Sequence, residues 1–286
     1  MPRPPINLHQ KAREVLHHTS ELHPEADRPI LHFESSTDSA LRMMRYLVGH
    51  MDPTSFYPAV LDSHLGQLRR MILTELIESF ERFLKELAAV CIDYLAPYTA
   101  DDRFDEFFPV RGGTVAGFVS AATVGKALCE SETWINNDSI NKRFAALLKV
   151  PFGDRWEWLF PQANQQPATE RDRAATLAIL WQVRHNLAHN VGVLTHSDAM
   201  KFRLLIGGPV AADRRLAPTA DDLKYVKRFL KETADRTNER VGQRLAHLLG
   251  LIHAADPALF DAQAKANDVS QRFTFSVTIN GHVGVL

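Results

Sequence analysis

The chain has 286 residues, 45% of them hydrophobic and 23% charged. That composition supplies a buried core and excludes a chain disordered throughout, because such disorder needs low hydrophobicity and high net charge. Lys plus Arg number 33 against 34 for Asp plus Glu, a formal net charge of −1, so an anionic substrate must be held by a local site rather than by bulk charge.

Cys91 and Cys129 are the only cysteines, too few for a disulfide scaffold and suited to a reducing compartment as buried thiols. Met1-Pro2-Arg3-Pro4-Pro5 lacks the apolar core of a signal peptide. The best candidate for a membrane span, Leu87 to Leu95, is short and contains Asp93. These features lead us to expect a soluble, cytoplasmic protein with no membrane partner.

The pattern is helical almost throughout. Residues 6–20 read as a polar helix that includes His17 and His18. Ser35-Ser36-Thr37-Asp38 looks like a cap signal for a helix over 36–50, with Leu41, Met44, Leu47 and Val48 at helical spacing. A break at 51–56 contains Pro53. The strongest element runs over 59–96. There Leu65, Leu68, Ile72, Leu76, Phe80, Phe83, Leu84, Leu87 and Cys91 keep one apolar stripe, and Pro97 ends it.

An acidic stretch leads to a Gly112-Gly113 turn, then to helices over 114–130 and 139–149. Residues 151–168, with Trp156 and Trp158, read as a packed loop. A helix over 168–190 stops at Gly192, and a short helix covers 197–206. Thr219-Ala220-Asp221-Asp222 caps a long helix to 249. Beyond Asp256 the period changes: Phe273, Phe275, Val277 and Ile279 alternate with polar residues, and Asn280-Gly281 is a tight-turn pair, which predicts a terminal hairpin. The expected organisation is an N-terminal helical extension (1–57), a helical bundle (58–250) and a C-terminal tail with a β-hairpin (251–286).

The most informative stretch is Trp181-Gln182-Val183-Arg184-His185-Asn186-Leu187-Ala188-His189-Asn190. From Arg184 to Asn190 a guanidinium, two imidazoles and two amides crowd the last turns of an otherwise apolar helix. Placing them beside a core is costly without partners or a task. Arg184 and His189 lie about 140° apart on an ideal helix, so they do not share one face. Either the helix end distorts or a two-fold axis completes the site.

Arg184-x4-His189 resembles the signature of the HEPN superfamily (higher eukaryotes and prokaryotes nucleotide-binding): Arg, a polar residue, a spacer, then His, at the end of a bundle helix. Arg13-x4-His18 and Arg45-x4-His50 repeat the spacing. There the Arg is followed by Glu14 or Tyr46, and only Arg184 is followed by the expected type of polar residue, His185. Glu78 to Leu87 looks like the family's first bundle helix, which commonly carries an acid. The similarity covers roughly residues 60–250.

The resemblance implies an all-α HEPN-type bundle that dimerises so as to bring two motifs together. It implies a metal-independent endoribonuclease, without cofactor, acting on RNA as a toxin or antiviral effector with an antitoxin or regulatory partner. Arg184 and His189 would be catalytic, His185 and Asn186 supporting, and Glu81, or equally Glu78, would orient the Arg. Some members are silenced through a Tyr two residues after the motif His; here that residue is Val191.

The chemistry is sensible in itself. RNA carries its own nucleophile, the 2′-hydroxyl, so an enzyme needs a near-neutral proton-transfer group such as His189 and a cation such as Arg184 over the developing phosphorane charge. Arginine's fork binds two phosphate oxygens, which Lys does less well.

Three other readings stand beside it. Basic residues at a helix end bond the last carbonyls. A HEPN-like bundle binds RNA or a partner without cutting. A metal-dependent hydrolase would use His185 and His189, at i, i+4, with Glu78 or Glu81 as a third ligand. A zinc-protease pattern would need Glu where Asn186 stands. The basic residues between Lys224 and Arg244 interleave with acids and read as a solvated face.

Overall fold

The apolar stripe of the longest helix dictates the architecture. A computed structural model describes residues 28–51, 54, 57–98, 123–130, 134–148 and 168–274. Helices α1 (Pro29–His50) and α2 (Pro58–Leu95) come first, and a 3-10 turn (Ala96–Tyr98) closes α2 at Pro97. Then follow α3 (Val124–Glu130), α4 (Asn137–Leu148), α5 (Ala168–Asn190), α6 (His196–Ile206), α7 (Ala220–Ala255) and α8 (Phe260–Thr274).

Helix α2 packs against α1, α3, α4, α5 and α7, so it is the shared axis. From Ile72 to Leu95 its apolar residues are buried, apart from half-buried Val90 and Tyr94, while its first three turns are exposed or half-buried. Phe80 stacks on Trp181 of α5 with ring centroids 5.9 Å apart, which ties the motif helix to the axis. Phe33 of α1 packs edge-on against Phe80 at 6.0 Å. Thus α1 shares the common core through Ile30, Phe33, Ala40, Leu41 and Met44. Both cysteines are buried and free, and burial pushes the Cys91 thiol up, reinforced by Cys129 and Asp93.

Two expectations need correction. The first is the start of α1, at Pro29 rather than near 36. Proline's fixed φ suits the first helical position. Within the supposed cap, the Thr37 hydroxyl donates back to the carbonyls of Phe33 (2.9 Å) and Glu34 (3.1 Å). That is the mid-helix habit of threonine, not a cap.

The second correction is where the expected hairpin begins. Phe273 and Thr274 end helix α8 rather than opening a strand. Ala262, Ala266, Val269 and Phe273 share one helical face and are all buried. Helix α8 folds back along α7 at Gly242, where any Cβ would lie 2.2 Å from that of Phe273. Asn238 Nδ2 donates to the Phe273 carbonyl at 3.1 Å. Among the described residues the β pairing is one isolated antiparallel bridge, Val193 with Arg215. The rest of the expected hairpin, 275–286, lies outside the described residues, as do the helix expected at 6–20 and the loop at 151–167.

Helices α2, α4, α5 and α6 follow their sequence signals closely, α7 runs on past 249 to Ala255, and of the helix expected over 114–130 the described part is Val124–Glu130. Thr219 and Asp222 form a reciprocal capping box at α7, and Thr195 and Asp198 form another at α6. No helix among the described residues is long and apolar enough to cross a membrane.

Candidate functional site

The last three turns of α5 divide the motif into an inner and an outer half. The inner half begins with Arg184, which reaches the axis. Its Nη2 lies 3.6 Å from Glu78 Oε1 and 3.7 Å from Glu81 Oε2. Those distances are charge contacts rather than hydrogen bonds. Arg184 Nε is buried without a hydrogen-bond partner. Glu81 is itself fixed: its Oε1 accepts from the Trp134 backbone N–H at 3.3 Å and lies 3.3 Å from Lys85 Nζ. Both acids weighed as orienting groups, Glu78 and Glu81, therefore meet the guanidinium.

Asn186 is fully buried. Its Nδ2 donates to the Val193 carbonyl (2.8 Å) and to Asp198 Oδ2 (2.9 Å). Asn190 Nδ2 donates to the same oxygen at 2.8 Å. Thr195 donates to it from its backbone N–H (3.1 Å) and its hydroxyl (2.8 Å), and Gln182 Nε2 reaches Oδ1 at 3.0 Å. Burial alone pushes the Asp198 carboxyl up, but the hydrogen bonds from Thr195, Asn186 and Asn190 outweigh it and hold the group below the usual carboxylate range. Asp198 thus pins three successive turns of α5.

The outer half is His185 and His189. Their rings pack with centroids 4.6 Å apart, His185 half-buried and His189 exposed. The helix ends beyond them through two left-handed residues, Val191 (φ 51°) and Gly192 (φ 80°). Glycine alone was expected as the stop. A β-branched residue at positive φ is strained by roughly 1–2 kcal/mol, and such strain gathers where surrounding contacts over-determine the chain. Leu194 N–H to Arg214 O (2.8 Å) and Leu216 N–H to Gly192 O (2.7 Å) supply those contacts.

The arrangement does not gather metal ligands. Glu78 and Glu81 face Arg184, and no group of three or more His, Cys, Asp and Glu among the described residues is placed to hold an ion. Three lysines of the basic face of α7 are ion-paired: Lys224 lies 2.9 Å from Asp221, while Lys227 and Lys231 reach across to Asp38 and Glu34 of α1. His17, His18, Trp156 and Trp158 lie outside the described residues.

Sequence reasoning missed Asp198. Its signal was the Thr195-x-x-Asp198 capping pattern, which shows how a helix starts but not that the same carboxylate collects donors from its neighbour. No family model, curated protein or solved structure matches the chain.

Proposed function

We propose that the chain is a metal-independent endoribonuclease of HEPN type, working in the cytoplasm as a homodimer in defence or toxin–antitoxin control. The observation that carries the reading is the divided motif. A fixed cation and a pinned amide lie inside, and an imidazole pair, half-buried His185 and exposed His189, lies outside, on consecutive turns of one helix.

The 2′-oxygen of RNA attacks the adjacent phosphorus, and the P–O5′ bond breaks. The products are a 2′,3′-cyclic phosphate and a 5′-hydroxyl. His189 moves the proton, and Arg184 offsets charge on the phosphorane oxygens. His185 packs on His189 and steadies it, and Asn186 locks the helix turn between them. Because Arg184 turns to the axis and His189 to solvent, a second copy completes the site most simply. Val191 at this helix end and Met200 and Leu204 on the following helix α6 are exposed and suit such a contact.

The test is cleavage of RNA in EDTA by wild type, Arg184→Ala and His189→Ala. Wild type is expected to cut and leave cyclic-phosphate ends, with each variant slower by about 100-fold or more while folded and dimeric. Activity lost to EDTA and restored by a divalent ion overturns the metal-independent mechanism.

A further inference from the structure

A cleft of about 420 Å³ runs along the face of α5 that ends at His185. Lys201 of α6 and His185 of α5 line it, and Asn136 and Asp138, at the start of α4, form a polar wall. Ile135 and Trp181 supply its apolar floor. That floor is rigid, because Trp181 Nε1 donates to Asn137 Oδ1 at 2.9 Å and Asn137 Nδ2 donates to the Ala174 carbonyl at 2.8 Å.

The wall has a defined polarity. Asn136 Oδ1 accepts from the backbone N–H groups of Asp138 (2.8 Å) and Ser139 (3.3 Å). Its oxygen is therefore occupied, and its NH₂ is the group left for a ligand. Asp138 is exposed and offers a carboxylate, an acceptor only. Together, the two residues offer one donor group and two acceptor oxygens.

We propose that this cleft binds a guanine nucleotide of a single-stranded RNA, with its base over Ile135 and Trp181, its Watson–Crick edge on Asn136 and Asp138, and its phosphate at Lys201 and His185. Guanine presents the complement, O6 as acceptor with N1–H and N2–H as donors. Adenine and cytosine place a ring acceptor beside their amine, which the carboxylate repels. Uracil has one N–H between two carbonyls. Single-stranded RNA exposes this edge, whereas a duplex hides it. The inference rests on RNA being what the Arg184/His189 motif acts on, and it adds which nucleotide lies beside the cut.

The experiment measures equilibrium binding to the full-length protein in EDTA. The probes are two labelled pentanucleotides, AAGAA and AAAAA, with 2′-fluoro sugars that lack the attacking hydroxyl. Wild type is expected to bind AAGAA about 10-fold or more tighter. Asp138→Asn should erase that preference, and Lys201→Ala should weaken both strands about equally and lower the salt dependence. Both changed residues are exposed, so folding is preserved. Equal binding of the two strands by wild type, or a preference that survives Asp138→Asn, overturns the proposal. Binding of free guanosine 5′-monophosphate with the same Asp138 dependence, but not of the strand, overturns the assignment to RNA. Because these strands cannot be cut, the result is independent of the cleavage assay. RNA cutting without guanine preference would sink this inference alone.

Discussion

Asp198 and Glu86 are both carboxylates withdrawn from water, Asp198 being 2% exposed and Glu86 keeping 18% of its side-chain surface. They behave in opposite ways. Asp198 sits among donors from α5 and its own capping turn, and its pKa falls. Glu86 lies between α1 and α2, where one oxygen meets His32 Nδ1 at 2.7 Å and the other, Oε2, is buried without a partner. Burial pushes it up to about 7 against the pull of Arg82 and Lys126. Depth alone therefore does not set the charge of a carboxylate here. The number of N–H and O–H groups aimed at it does.

The largest effect should come from removing the better-served group. Asp198→Ala strands donors on Gln182, Asn186, Asn190 and Thr195, and we expect a loss of about 3–4 kcal/mol in chemical denaturation. The histidine ring signals in nuclear magnetic resonance should broaden together, because three turns of α5 lose their anchor. An unchanged denaturation midpoint would show that the surrounding amides find water instead.

Next comes the pH dependence of Glu86. In the folded chain it keeps its proton up to about pH 7, whereas the unfolded carboxyl releases it near 4.5. Its contribution is therefore complete below 4.5 and is lost as pH rises through about 7. At about 1.4 kcal/mol per pKa unit, the decline amounts to at most about 3 kcal/mol. Glu86→Gln should flatten that slope in denaturation curves from pH 4.5 to 8. Asp198 has the opposite sign, its stabilisation present above its unfolded pKa and lost as pH falls.

The smallest effect separates one donor from the group. Asn190→Ala removes a single 2.8 Å hydrogen bond to Asp198 Oδ2 and should cost about 1 kcal/mol. A loss as large as that of Asp198→Ala would mean that the hydrogen bonds form as one cooperative unit.

The contrast also marks what a sequence discloses. Helices α2, α5 and α7 were legible because burial repeats along them every three or four residues, and Thr219 with Asp222 marks a start by local chemistry alone. The meeting of Arg184 with the acids of α2 was half legible: the residue types were visible, and their approach depended on packing through Phe80 and Trp181. Asp198 was hidden because its donors come from another helix, and no period records that. Helix α8 was missed because the alternation beginning at Phe273 overshadowed the helical spacing of Ala262, Ala266 and Val269. Phe273 belongs to both patterns, and the recess at Gly242 on α7 decides between them.

The bonds from α1 to α7 carry a consequence for synthesis. Asp38 and Lys227 are 189 residues apart, and Glu34 and Lys231 are 197 apart. At about 5–20 residues per second, the ribosome needs about 10–40 s to deliver α7 after α1 has been made. Through that interval α1 rests on α2, with Phe33 against Phe80 and Phe83. The aromatic contact is thus the nascent chain's early anchor, and the lysines of α7 lock a pairing already in place.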